Sequence, residues 1–231
     1  MKIAIVQVYD EAIRNYAQYS QLINSLYAAK HGYIYISWDH DVVPAQISVY
    51  YNKIQALLSV MTCKGEIPDW LLWIDSDAVI TNFDINIEDI IDKHPDKEII
   101  FGNDINGSNN GVFLIKNTTT MQTYLQECLN DNRFFHSKFP EQSAMFTIIT
   151  SEKYKQYIGF EDSQDFNGYM NFYKDFKPVD RYWDNKSFAL HLARIPDGTR
   201  VNIFTQLLRK QNIFCFTKQN ITLQQDKKET K

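Results

Sequence analysis

The residues best suited to chemistry in this 231-residue chain are two carboxylates one residue apart, Asp75 and Asp77, with Ser76 between them. They close the apolar run Trp70-Leu71-Leu72-Trp73-Ile74 and precede another, Ala78-Val79-Ile80. Acids inside a hydrophobic stretch need a compensating partner, because an ionised carboxylate away from water is costly. A hard divalent cation is such a partner. Mg²⁺ and Mn²⁺ prefer oxygen ligands and commonly take a few carboxylates together with substrate phosphate oxygens. A cation held this way neutralises a diphosphate as it leaves. A bare D-x-D equally suits a solvated turn or a helix N-cap, and the flanking apolar runs are what favour the metal reading.

Strands and helices must carry these acids to one edge. Lys2 to Val8, Tyr33 to Ser37, Trp70 to Ile74 and Lys97 to Gly102 read as short strands. Between them, Ala12 to Lys30, Tyr50 to Thr62 and Ile87 to Lys93 have helical apolar spacing, with Gly32 as a helix stop. Such alternation implies a mainly parallel sheet with helices on both faces, whose ligands collect at the carboxyl ends of the strands. Further on, Gly107 to Gly111 reads as a turn-rich loop, Val112 to Lys116 as a strand, and Thr118 to Asn130 and Glu141 to Thr150 as helices. The stretch from Asp162 to Asp184 is irregular and aromatic-rich, and residues 219–231 read as a polar tail or linker after one domain over 1–218.

Composition excludes some classes. A hydrophobic fraction of 44% and a charged fraction of 23% are those of an ordinary globular domain. A net charge of -4 argues against nucleic-acid binding. The cysteines Cys63, Cys128 and Cys215 form neither a disulfide framework nor a zinc set, which points to a reducing compartment. No signal peptide is visible and no run approaches the roughly 20 apolar residues of a membrane span. A cytoplasmic protein, bacterial or viral, is expected unless the chain was cut from a longer one.

Trp73-Ile74-Asp75-Ser76-Asp77-Ala78 resembles the W-[IM]-D-S-D-A segment of the galactosyl- and xylosyltransferases related to yeast α-mannan and plant xyloglucan enzymes. Tyr27-Ala28-Ala29-Lys30-His31-Gly32-Tyr33 resembles their Y-A-x-x-H-G-Y, and Asn52-Lys53 loosely their W-x-K. Asn109-Asn110-Gly111-Val112-Phe113-Leu114-Ile115-Lys116-Asn117 is similar to N-T-G-x-F-L-[IL]-[RK]-N, and Glu141-Gln142-Ser143-Ala144 to D-Q-S-A. His191 falls where the family places a late histidine. The resemblance implies a GT-A fold: Rossmann-like α/β, with a mainly parallel central sheet and a smaller C-terminal acceptor-side portion. It also implies Mn²⁺ (or Mg²⁺), a nucleotide-sugar donor that is usually a UDP-sugar, a glycan, glycolipid or glycoprotein acceptor, and retention of anomeric configuration.

Carried over residue by residue, Asp75, Asp77 and His191 would be the metal ligands. Asp75 and Ser76 would also serve the donor, and Asn109, Asn110 and Gly111 would lie beside its sugar. Gln142 would sit under the anomeric carbon, with Glu141 and Asp104 completing the candidate catalytic set. Asp104 and Asn106 are placed to accept from sugar hydroxyls. In such a fold Tyr9 and Trp38, at the ends of the first two strands, border a nucleotide pocket. Arg194 and Arg200 flank Pro196-Asp197-Gly198, and a cation there could clamp the diphosphate, with Gly198 beside it. His31 reads as structural. Three features depart from the family. Asn110 replaces Thr, Glu141 replaces Asp, and the glycine- and cysteine-containing segment after the histidine shrinks to Pro196-Asp197-Gly198. Two alternatives stay open: a non-catalytic nucleotide-sugar-binding module, and a metal-dependent nucleotidyltransferase. Against the latter, Val6 to Glu11 lacks a glycine- and lysine-rich phosphate loop.

Overall fold

The structure is a computed structural model and describes residues 1–171 and 176–210. The expected tail, Cys215 and the end of the expected domain lie outside the described residues. In chain order the elements are β1 (Ile3–Val8), α1 (Arg14–His31), β2 (Ile34–Trp38), α2 (Asn52–Met61), β3 (Trp70–Ile74), β4 (Ala78–Ile80), α3 (Ile87–Ile91) and β5 (Ile99–Asp104). There follow β6 (Gly107–Lys116), α4 (Thr119–Asn130), α5 (Pro140–Ile149), β7 (Ile158–Asp162), α6 (Ser163–Phe166), β8 (Asn167–Gly168), β9 (Ala189–His191) and α7 (Asp197–Lys210).

Six strands form one sheet in the order β2-β1-β3-β6-β5-β7, and β6 alone runs against its neighbours. The mainly parallel α/β architecture is therefore present. β3 is central and buried along its length, because its run of large apolar side chains fills both faces. Leu71 and Trp73 point into a core shared with α2, α4 and α5. Trp70, Leu72 and Ile74 point the other way, towards α1 and α3. A second, three-stranded sheet, β4-β9-β8, lies on that side.

Local chemistry explains the boundaries. Gly32 ends α1 in the left-handed region at φ 72, its N–H returning to the Ala28 carbonyl. Thr118 caps α4 by accepting from the Met121 amide. Pro140 opens α5 at a position where no intrahelical N–H is needed.

One expectation fails. Residues Gly107 to Gly111 are not a loop but the first half of β6, paired with β5 through Gly102↔Asn109, Asn103↔Ser108 and Asp104↔Gly107. The turn chemistry there serves only Ile105-Asn106 and the positive φ of Gly107; beyond it, hairpin pairing extends the polar residues. In addition, α7 was not anticipated. It is polar, and only Phe204 and Leu208 are buried. Among the described residues no helix is long and apolar enough to cross a membrane.

Candidate active site

The end of β3 sets Asp75 in place. Its amide donates to the Gly111 carbonyl at 2.7 Å, and the Trp73 indole N–H donates to its Oδ1 at 2.6 Å. Ser76 turns inward and donates to the Val8 carbonyl at 2.8 Å, so the next side chain, Asp77, faces the cavity. His191 ends β9, opposite Ala78 in the small sheet. Its Nε2 lies 3.2 Å from Asp77 Oδ1 and 3.9 Å from Asp75 Oδ2. One ligand atom from each of Asp75, Asp77 and His191 falls within a 4.8 Å cluster, as a shared cation requires. Gly111 makes the imidazole's position possible: a Cβ there would lie 2.1 Å from His191 Cε1.

Charge around this cluster is nearly balanced. Lys53 is almost fully buried and reaches Asp75 Oδ1 at 3.1 Å, Glu141 Oε1 at 3.4 Å and the Asn110 carbonyl at 2.9 Å. Arg200 donates from all three nitrogens, to Asp77 Oδ2 at 2.9 Å, Asp197 Oδ1 at 3.0 Å and the Leu192 carbonyl at 3.1 Å. Its guanidinium also lies over the Tyr16 ring. Arg200 is thus an anchor for Asp77 as well as part of the cavity wall. The carboxylates Asp75, Asp77 and Glu141 face Lys53 and Arg200, and Arg200 is shared with the partly exposed Asp197. The remaining positive charge can come from a proton on His191 or from a divalent cation.

The titrations follow from this arrangement. Burial pushes the Asp75 carboxyl up despite Lys53 and His191. Burial also opposes ionisation of Asp77, but His191 and Arg200 outweigh it and hold that carboxyl below its ordinary value. For His191, burial favours the neutral ring, yet Asp77 and Asp75 outweigh it and raise the imidazole above its usual value.

A cavity of ≈ 880 Å³ opens over the cluster. Besides Asp75, Ser76, Asp77 and His191, it is lined by the candidates Tyr9, Asp104, Asn106, Asn109, Asn110, Glu141, Gln142, Arg194 and Arg200. Tyr9 is buried, its hydroxyl donating to Gln21 Oε1 at 3.2 Å. Asn109 Oδ1 accepts from the Gly111 amide at 2.7 Å and from Asn167 at 2.9 Å. Gln142 Oε1 faces the Asn110 amide at 3.5 Å. Asp104 accepts from the Tyr169 hydroxyl at 2.5 Å and from the Asn106 amide at 2.7 Å. Arg194 has a left-handed backbone, φ 59, and its guanidinium lies 5.0 Å from the centre of the Phe139 ring.

Two candidates stand apart. Trp38 is not part of the cavity lining; its indole packs against the core beneath α2 and β1. Gly198 sits in the first turn of α7, exposed, with open space around its α-carbon. His31 donates from Nε2–H to the Phe83 carbonyl, 2.8 Å away, and stacks on Tyr33, as a structural residue does. Lys53, noted in the sequence only as part of a loose W-x-K match, is the central residue to which no role in the site was given. Its signal was its helix position: Ala56, Leu57 and Val60, three, four and seven residues on, are all buried, so Lys53 lies on the buried face of α2.

Residues 7–96, which carry β1 to α3 with Asp75 and Asp77, match the galactosyl transferase GMA12/MNN10 family. No curated protein matches the chain in sequence. Among solved structures, the chain is similar to a glycosyltransferase involved in glycosylation of the major capsid of PBCV-1. The TM-score is 0.68 and the identity 14%, over 89% of this chain and 100% of that one. It is also similar to the glycosyltransferase GlyE of Streptococcus pneumoniae, with TM-score 0.55 and 15% identity over 90% of this chain and 63% of that one. A third is a mutant of Drosophila β1,4-galactosyltransferase 7 in complex with manganese, UDP-Gal and xylobiose. There the TM-score is 0.50 and the identity 10%, over 84% and 72% of the two chains. At these identities the likeness is one of fold, the GT-A fold. The matching family and these neighbours are all glycosyltransferases.

Proposed function

We propose, from a family match and a fold that both belong to glycosyltransferases, that the chain transfers a hexose or pentose from a UDP-linked donor to a glycan hydroxyl with retention. The observation that carries this reading is the convergence of Asp75, Asp77 and His191 within 4.8 Å at the floor of a cavity large enough for a nucleotide sugar. The donor set of two carboxylates and one imidazole suits Mn²⁺ or Mg²⁺. When bound, the cation would supply Lewis-acid neutralisation of the leaving diphosphate.

The chain's own residues do the rest. Arg200 fixes the Asp77 carboxylate, and Lys53 fixes Asp75 and Glu141 while adding positive charge under the diphosphate. Arg194, which lines the cavity beside Phe139, is a cation that would contact the phosphates. Tyr9 borders the nucleotide at the end of β1. Asn109, Asn110 and Gly111 form the wall beside the donor sugar, and the Asp104–Asn106–Tyr169 network accepts from and donates to its hydroxyls. Gln142 sits on the reacting side as a polar stabiliser. An amide is a poor nucleophile, so attack by the acceptor from the leaving-group face is favoured over a covalent intermediate. Trp38 and Gly198 are left without a direct part in this site. A cytosolic enzyme extending a surface polysaccharide or protein-linked glycan fits the sequence.

A thermal-shift panel of nucleotide sugars with Mn²⁺ tests the proposal. A UDP-sugar should raise the midpoint in a metal-dependent way, and slow donor hydrolysis should separate an enzyme from a binding module. NMR of the product should show the donor's anomeric configuration. An inverted product would remove the role given to Gln142.

A further inference from the structure

Large apolar side chains that stay exposed are not scattered evenly. Val49 (49% exposed), Tyr50 (61%), Phe139 (41%) and Phe176 (38%) all line the mouth of the catalytic cavity. Single exposed apolar residues are ordinary, but a group on the rim of a site is a binding feature. Three of the four stand on a rigid base. Tyr51, the neighbour of Tyr50, is fully buried, with its ring edge against Phe135 and its hydroxyl donating to the Pro140 carbonyl at 3.4 Å. That bond ties the turn before α2 to the start of α5. Val49 and Tyr50 are therefore held on the same side of the cavity as Phe139, which immediately precedes Pro140.

The surrounding charges limit what this rim can take. Lys138 and Arg194 lie near the Phe139 ring, at 5.4 and 5.0 Å, but Asp10 and Asp41 also line the mouth. The Asn52 amide donates to Asp41 Oδ1 at 2.6 Å, which keeps this carboxylate fixed as an acceptor. The rim has no net positive field with which to attract an acidic ligand. It does combine apolar ring surfaces with fixed hydrogen-bond acceptors. A pyranose has the complementary surface: one face of C–H groups, and hydroxyls around its edge.

Resting on the glycosyltransferase reading above, we propose that Val49, Tyr50 and Phe139 form the acceptor subsite, and that its ligand class is a neutral oligosaccharide. A sugar ring lies against Tyr50 and Phe139, with hydroxyls directed at Asp41. The subsite is continuous with the donor site, because Glu141 and Gln142, two and three residues after Phe139 in the first turn of α5, reach Lys53 and the Asn110 amide.

The test is a glycan microarray carrying neutral and acidic oligosaccharides, probed with the full chain in UDP and Mn²⁺. Saturation-transfer NMR on the bound glycans and calorimetry of UDP–Mn²⁺ follow for the wild type, Tyr50→Ala, Tyr50→Phe and Phe139→Ala. Neutral glycans should bind, with saturation strongest at ring C–H protons. Tyr50→Ala and Phe139→Ala should each weaken them roughly five- to tenfold, Tyr50→Phe should keep wild-type glycan binding, and all three should leave UDP affinity unchanged. Capture of acidic glycans alone, no glycan binding by a protein that binds UDP, or glycan binding indifferent to Tyr50→Ala would overturn the subsite. Failure of the wild type to bind UDP–Mn²⁺ would instead overturn the donor reading, and this one with it.

Discussion

In the proposed cation site, Asp77 is the carboxylate most firmly held by the protein itself. Arg200 takes one oxygen and His191 faces the other, so the side chain is oriented without a metal and kept ionised against burial. His191 then carries the pH dependence. Its imidazole is raised by Asp77 and Asp75, so at low pH it holds a proton that a cation must displace. Mn²⁺ affinity should therefore rise with pH and level off above the raised His191 value. Below that value it should fall about tenfold per pH unit if one proton is released. Calorimetry in two buffers of different ionisation enthalpy counts that proton. Lys53 makes a second prediction. Lys53→Met leaves Asp75 and Glu141 buried without their cation and should cost about 3–5 kcal/mol in urea denaturation. At this scale the three proposed ligands were legible, because Asp75, Asp77 and His191 are of types that bind metals. Their partners were not: Lys53 finds Glu141 88 residues away and Arg200 finds Asp77 123 residues away, and neither distance leaves a local pattern.

At the scale of elements, β6 does two jobs. Its apolar half, Val112 to Ile115, packs both faces of the sheet, and its polar half lines the cavity from Gly107 to Asn110. The junction is Gly111, where strand backbone and imidazole touch. Gly111→Ala should leave the protein folded, since the ring can turn away, but should lower Mn²⁺ affinity about tenfold to a hundredfold. Near-ultraviolet circular dichroism with Mn²⁺ titration separates the two effects. Strands β1 and β3 and helices α2 and α4 were legible because burial on both sides of a sheet, or on one side of a helix, writes a period into the sequence. The polar half of β6 was not, because Gly, Ser and Asn there are held extended by β5 rather than by their own preference. Likewise α7 owes its position to packing on α1 and to the Arg200–Asp77 pair, not to a continuous apolar stripe.

At the scale of the molecule, the fold brings four separate segments to one edge: the end of β3, the start of β6, the start of α5 and the end of β9. Ligands are expected there in an open α/β sheet. The family match over residues 7–96 covers only the first of these, and the other three were legible as motifs whose distance from one another in the fold was not. This edge is proposed to bind a nucleoside diphosphate through a cation held by Asp75, Asp77 and His191. Calorimetry of UDP with the wild-type chain and Asp77→Ala, each with Mn²⁺ and with chelator, tests it most directly. The wild type should bind one UDP with Mn²⁺, with little or no binding with chelator or in Asp77→Ala. UDP binding of equal strength in all four conditions, or in none, would contradict it.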